Sequence, residues 1–410
     1  MKNERKSQKI FAAATACIVL AMSTGVVLAN DLPYKLTDTD VPVSVYAGGK
    51  PIELTDKPFV KNGEVYVPVR EFLNNASQGA EIIWNDDRTL IIKNSYNSEV
   101  LNKNVDAEVN FAIDSNLYKT KDSVKNVVLT SKLQNAPVLV DSKTYIPYEL
   151  IRKINENLRT SDGIEITVGE SSDYAEMLNK STAWADGLKT RDGKPRYEMM
   201  TDAMQQDFIK AQTEYVNSDE WNYVIGYSSP WTISSDILIK DNNAYIWYYQ
   251  SDSTPEMYVY NEIITFEKSD GKLLVSNSEE AEETDNSLCA YIRKIENNKI
   301  TLDFAEIIQS TDSERIAELK LTDGDFPNGY YIYNPEETTA EYTLTDDTLY
   351  TFIDWNRAFT DENEDMFVFT NSIEDFKKYV DSYENSMPGM PFFFELDGDN
   401  VLSITEHYMP

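Results

Sequence analysis

Few residues in this chain carry the imidazole or thiol groups that many catalytic and metal sites use. There is one histidine, His407, and there are two cysteines, Cys17 and Cys289, among 410 residues. A zinc site takes three or four imidazole or thiolate ligands, so this set cannot supply one. A Ser-His-Asp triad would have to recruit His407 from the terminal tail, a poor place for a rigid base. Cys289 lies in a strand pattern and reads as a small buried residue, not a nucleophile. No glycine-rich phosphate loop is present. Asp361-Glu362-Asn363-Glu364-Asp365 carries acids at alternate positions, as a calcium loop begins. However, Met366 occupies the place of the required glycine and Ser372 that of the bidentate glutamate. The segment therefore reads as a solvated acidic loop, and Asp397-Gly398-Asp399 as a hairpin turn. No metal, cofactor or catalytic set is expected, which leaves carboxylate chemistry or plain binding.

Charge narrows the partners. Lys and Arg number 37 against 70 Asp and Glu, a formal charge of −33. That balance repels nucleic acid and anionic lipid, both of which bind proteins through cations. With 41% apolar and 12% aromatic residues the chain is globular, with enough apolar matter for several cores. The length suggests about two to four domains. Lys2, Arg5, Lys6 and Lys9 precede an apolar run from Ile10 to Leu28, which Ser23-Thr24-Gly25 interrupts and Val27-Leu28-Ala29 ends. This is the order of a secretory signal, expected to be cut between Ala29 and Asn30. Cleavage would leave no membrane span, one cysteine and an even more acidic chain. An oxidising destination without disulfides suits bacterial export.

The elements that must position any site follow from periodicity. Residues 30–169 are β-rich, with Val41, Val43 and Val45 alternating, Val65-Tyr66-Val67, a short helix from Val69, and strands at 81–84 and 89–92 around Asn85-Asp86-Asp87. Within them a unit repeats: Pro58, Tyr66 and Pro68 keep the spacing of Pro137, Tyr145 and Pro147, and Leu150–Leu158 supplies the second helix. From Tyr174 the period becomes helical, through Met177, Leu178, Ser181, Trp184, Ala185 and Leu188. A second helix is expected from Arg196 through Tyr197, Met200, Met204, Phe208 and Ala211. Four strands follow, at 231–239, 244–250, 258–266 and 273–276, with hairpin turns at Asp241-Asn242-Asn243 and Asp270-Gly271-Lys272. Residues 276–287 read as an acidic linker. Strands at 288–295, 300–308, 330–333 and 350–353, helices at 313–320 and 373–383, and a hairpin at 392–396 and 401–406 complete the chain.

The stretch from Asn62 to Asn94, with Gly63, Tyr66, Val67, Pro68, Arg70 and Trp84, resembles the copper amine oxidase N-terminal-like domain. The resemblance spans roughly residues 41–168 and implies a small α+β stalk module of exported Gram-positive proteins. It implies no oxidase activity. That chemistry needs three imidazoles and an Asn-Tyr-Asp/Glu tyrosine, whereas the only Asn-Tyr pair, Asn222-Tyr223, precedes Val224.

Residues 170–278, two helices before a curved antiparallel sheet, resemble the nuclear transport factor 2-like cone, as do the stretches at 188–200 and 224–231. Such a cone has a concave mouth, which Trp184, Tyr223, Trp231, Trp247 and Tyr260 are placed to line or fill. Asp236 and Glu262 are the acid/base candidates there. Residues 279–410, an acidic linker and a small β-rich domain, resemble a recurrent C-terminal module of exported proteins. The fold class expected is α+β and multidomain. The function expected is non-catalytic binding or scaffolding at the cell surface, towards cell-wall polymer or another surface protein. An enzyme using the cone carboxylates, or a passive extracytoplasmic sensor or spacer, are the alternatives.

Overall fold

The computed structural model describes residues 34, 36–38, 41–76, 79–98, 101–216, 220–252, 257–281, 287–361 and 365–407. The expected export signal, with its Ala29–Asn30 cleavage point, and residues 362–364 of the acidic run lie outside them. Helix makes up 22% and strand 46% of this mixed, multidomain fold.

In the first segment β1 (Val43–Ala47) and β2 (Lys50–Ile52) form a hairpin. One copy of the repeat follows as β3 (Phe59–Lys61), β4 (Glu64–Pro68) and α1 (Val69–Ala76). Next come β5 (Glu81–Trp84), β6 (Thr89–Ser98), β7 (Lys103–Ala112), β8 (Leu117–Asp122) and β9 (Val128–Lys132), paired in sequence as an antiparallel meander. The second copy is β10 (Val138–Val140), β11 (Lys143–Pro147) and α2 (Tyr148–Leu158), and β12 (Ile164–Val168) closes the segment. The sequence reading did not single out β7 to β9, although Val105, Ala107, Val109 and Phe111 alternate and are all buried.

The two repeats meet each other. Tyr66 pairs with Pro147, Val67 with Ile146 and Pro68 with Tyr145, so each tyrosine faces the other copy's proline across an antiparallel ladder. Phe59 stacks on Tyr66 at 5.3 Å and leans on Tyr145 at 5.0 Å. The second repeat ends in α2. Its Tyr148, Leu150, Ile151, Ile154 and Leu158 recur at helical spacing and are all buried.

The second segment holds α3 (Tyr174–Thr190), α4 (Lys194–Met199) and α5 (Asp202–Val216), then β13 (Trp231–Lys240), β14 (Asn243–Ser251), β15 (Met257–Ser269) and β16 (Lys272–Glu280). The single helix expected from Arg196 is broken. Met200 turns extended, bridges to Val275, and the Thr201 amide donates to the Val275 carbonyl at 2.9 Å. The break pins the helices to β16, a contact that periodicity cannot encode. The acidic run begins later than expected, because residues up to Glu280 pair with β15.

A single seven-stranded sheet, ordered β16-β15-β14-β13-β12-β1-β2, runs through the boundary expected at 169/170. β12 pairs in parallel with β13, from Glu165–Ile237 to Val168–Lys240. All five β12 residues are buried, so this strand needs neighbours on both sides. The joint is close: a Cβ on Gly163 would lie 2.6 Å from the Ser235 carbonyl oxygen. The helices of the second segment cover one face of this sheet and α2 covers the other. Accordingly β14 is a nearly unbroken apolar run, as strands buried on both faces are.

The last segment contains β17 (Leu288–Glu296), β18 (Lys299–Phe304), β19 (Glu306–Gln309), α6 (Ser313–Leu319), β20 (Tyr330–Tyr333), β21 (Thr339–Ile353), β22 (Phe367–Thr370), α7 (Ile373–Val380), β23 (Phe392–Asp397) and β24 (Asn400–Thr405). β18 pairs with both β17 and β21, which closes β18-β17-β23-β24-β21 into a barrel. Phe352, Phe376, Phe392 and Phe394 pack its core. The barrel docks on the meander. The Asn371 side chain accepts from the Val128 amide at 2.7 Å and donates to the Val128 carbonyl at 2.8 Å.

Candidate ligand-binding cavity

The concave face of the shared sheet encloses a cavity of about 370 Å³ under α3, α4 and α5. Its apolar wall includes Trp184, Leu188, Met200, Met204, Phe208, Ile225 and Tyr260, and Lys189, Arg191, Asp207 and Glu280 also line it. That volume lies within the ~300–1,000 Å³ range of small-molecule sites.

Four of the seven residues expected at such a mouth are there: Trp184, Trp231, Tyr260 and Glu262. The other three are not. Trp247 and Asp236 sit on the opposite face of the sheet, because side chains alternate along a strand and the register places Tyr248 and Ile237 inward. Trp247 packs edge-on against Tyr34 and Tyr148, with the Arg152 guanidinium 3.9 Å from its ring centroid. Tyr223 joins Tyr197, Phe208 and Trp221 in an aromatic cluster beside the cavity.

At the cavity Glu262 is buried and fully engaged. Its Oε2 accepts from Tyr248 OH at 2.6 Å and Arg196 Nη2 at 3.3 Å; its Oε1 accepts from Ser278 Oγ at 2.6 Å and Arg196 Nη1 at 3.4 Å. Arg196 also donates from Nε to the Trp184 carbonyl at 2.7 Å, and its guanidinium lies 4.6 Å from the Trp184 ring centroid. Burial, reinforced by the Glu262 charge, holds the Tyr248 hydroxyl well above its usual range, so it stays a neutral donor. Both carboxylate oxygens are thus already engaged by a guanidinium and two hydroxyls. The Trp184 Nε1–H is buried without a partner. Periodicity marks Arg196 only as the start of a helix, not as a partner of Glu262. Its one signal was a lone arginine amid inward-facing Tyr197, Met200 and Met204.

On the other face Asp236 holds a joint. It accepts from Tyr249 OH at 2.6 Å, the Ile164 amide at 2.8 Å and Asn155 Nδ2 at 3.1 Å. Burial raises its pKa to about 6 despite these donors. Deeper in the same core, Glu64 accepts from Tyr34 OH at 2.8 Å, and burial and the Glu149 charge raise its pKa to about 8.

Among the motif residues, Tyr66 donates to the Ala136 carbonyl at 3.0 Å, Pro68 ends β4, and Gly63 takes a left-handed φ of +79° in the β3–β4 turn. Arg70 and Trp84 are exposed. These positions build the module and do not converge on a pocket. Cys289 is buried in β17, and burial pushes its thiol up to about 12, which leaves it unreactive. The His407 ring lies tilted against Phe393, with centroids 4.1 Å apart. Among the described residues no cluster of three His, Cys, Asp or Glu is placed to hold a metal, and no helix is long and apolar enough to cross a membrane.

Residues 46–163 match the model of the copper amine oxidase N-terminal domain. The match covers the repeat pair, α2 and the meander. It stops short of β12, the strand that joins this module to the second segment. A search of curated proteins finds no match to the chain.

Proposed function

We propose that this is an exported, non-catalytic binding protein of the bacterial cell envelope. Its first module is a stalk-type domain, and its second is a nuclear transport factor 2-like cone that receives a small ligand. The carrying observation is that an open cavity of about 370 Å³ ends on a carboxylate already held by Arg196, Tyr248 and Ser278. Such a floor favours holding a ligand over moving protons. The wall selects an apolar body, and the unpartnered Trp184 Nε1–H favours one hydrogen-bond acceptor on it. Cell-wall polymer or another surface protein is the partner class, supported by the modular build and by the export pattern of residues 1–29.

The neutral dye N-phenyl-1-naphthylamine tests the cavity. Binding is expected, and Met204→Trp should weaken it about tenfold or more by filling the space. No binding, or equal binding in a folded Met204→Trp variant, sinks the cavity reading. Sedimentation with isolated cell walls tests the setting: protein left wholly in the supernatant at physiological salt rejects wall binding. The second reading, an acid/base enzyme, is favoured by one fact, the burial of Glu262 at an open cavity. It requires that Glu262→Gln abolish a turnover that the wild type displays.

A further inference from the structure

A second and larger cleft, of about 780 Å³, lies where all three segments meet. Residues of the meander, the end of α2, the start of β13 and the barrel's Leu349 and Phe369 line it. We propose that this cleft binds an anionic saccharide chain, one that carries carboxylates or phosphates along stacked sugar rings.

Charge is the first argument. With acids outnumbering bases almost two to one, a cleft on this protein should be acidic. Here Lys121, Arg159 and Lys189 line it, and none has a carboxylate partner among the described residues. The Arg159 Nη2 reaches the Met257 thioether at 3.5 Å, its guanidinium lies 5.9 Å from the Tyr96 ring centroid, and its Nη1 has no hydrogen-bond partner. Of the cleft's acids, Glu156 is paired with Lys153 at 3.0 Å and Asp122 accepts from the Val124 and Lys125 amides, so two unpaired carboxylates, Asp122 and Asp162, oppose the three cations. Unpaired guanidinium and ammonium groups facing one cleft favour an oxyanion ligand.

Shape and surface chemistry are the second argument. Tyr96, Trp231 and Phe369 also line the cleft, and Trp231 is 36% exposed. Aromatic faces stack on the C–H faces of sugars, whereas bare phosphate or a peptide carboxylate gains nothing from them. Hydroxyl and amide groups of Asn97, Thr120, Asn157, Ser161, Thr232 and Ser234 fill the remaining wall and suit sugar hydroxyls. Cations, rings and hydroxyls together select a charged glycan over a neutral one and over a simple anion.

The proposal deepens the binding reading by giving it a second site and a ligand class, but it needs neither export nor the cone cavity. The test titrates the purified protein, with calorimetry and tryptophan fluorescence, against three soluble probes. These are hexagalacturonate, maltohexaose and inorganic tripolyphosphate. Hexagalacturonate should bind, and rising salt should weaken it. Maltohexaose and tripolyphosphate should each bind about tenfold or more weakly, since each lacks one of the two recognition elements. The double variant Lys121→Glu/Arg159→Gln leaves the wall of the cone cavity untouched and should lose about tenfold or more for hexagalacturonate, with dye binding in the cone cavity unchanged. No hexagalacturonate binding, undiminished binding by the double variant, or equal affinity for either other probe would overturn the proposal. Loss of dye binding alone would instead count against the cavity reading.

Discussion

The shared sheet buries Glu262 on one face and Asp236 on the other, and the two are handled differently. Glu262 is neutralised by a guanidinium beside an open cavity. Asp236 accepts from the uncharged donors Tyr249, Asn155 and the Ile164 amide in a buried joint, with the Arg152 charge nearby. An ion pair fixes charge at a site that water or a ligand reaches, whereas a fan of neutral hydrogen bonds fixes geometry between α2, β12 and β13. The first arrangement suits a binding floor. The second explains why two sequence modules behave as one body.

The largest effect should come from splitting the ion pair. Arg196→Met leaves Glu262 buried and uncompensated, and should destabilise by about 3–5 kcal/mol in urea unfolding. Arg196→Met/Glu262→Gln should recover much of that loss. If the double variant is as unstable as the sum of the singles, the two residues are not coupled and the contrast fails.

On the other face, Asp236→Ala strands three buried donors at once and should cost about 2–4 kcal/mol. The milder Asp236→Asn should retain most of the joint. Equal losses for both would mean that packing, not hydrogen bonding, holds the seam.

Acidity tests the Asp236 face on its own. Burial raises Glu64 to about 8 and Asp236 to about 6. Both folded values lie above ordinary carboxylate values, so the folded state binds protons more tightly than the unfolded chain. Their contribution is therefore full below about pH 4 and is lost as pH rises, through about 6 for Asp236 and about 8 for Glu64. Thermal midpoints should show this fall between pH 5 and 8. Glu64→Gln should flatten it, even with Glu149, Arg152 and Tyr34 still beside that position. An unchanged slope would place the titration elsewhere.

The smallest effect is the control. Lys268 pairs with Asp173 at 2.7 Å at the surface of the cavity-bearing segment. Lys268→Ala should change stability by no more than about 1 kcal/mol. A larger loss would erase the distinction between a buried ion pair and an exposed one.

Much of the local structure was legible. Hairpins fell at Asp241-Asn242-Asn243, Asp270-Gly271-Lys272 and Asp397-Gly398-Asp399 because those residues tolerate tight turns, and the Tyr-Pro repeat identified two like units. The cavity was half legible. Trp184, Trp231, Tyr260 and Glu262 line it, whereas Trp247 and Asp236, expected beside them, turn to the opposite face. A one-residue offset reverses the face of a strand, and both faces of β13 and β14 are buried, so polarity gave no sign of which way each residue turned.

By itself the sequence determined the acidic charge, the scarcity of imidazole and thiol groups, the repeat and the turn positions, since these depend on composition and short-range sterics. Tertiary structure alone decided that β12 joins β13, that Met200 breaks a helix to meet Val275, that Arg196 reaches Glu262 across 66 positions, and that unpaired cations gather where three segments meet. Those outcomes rest on contacts between residues far apart in the chain. Such contacts follow from which buried strands find partners, and no local pattern of the chain records that choice.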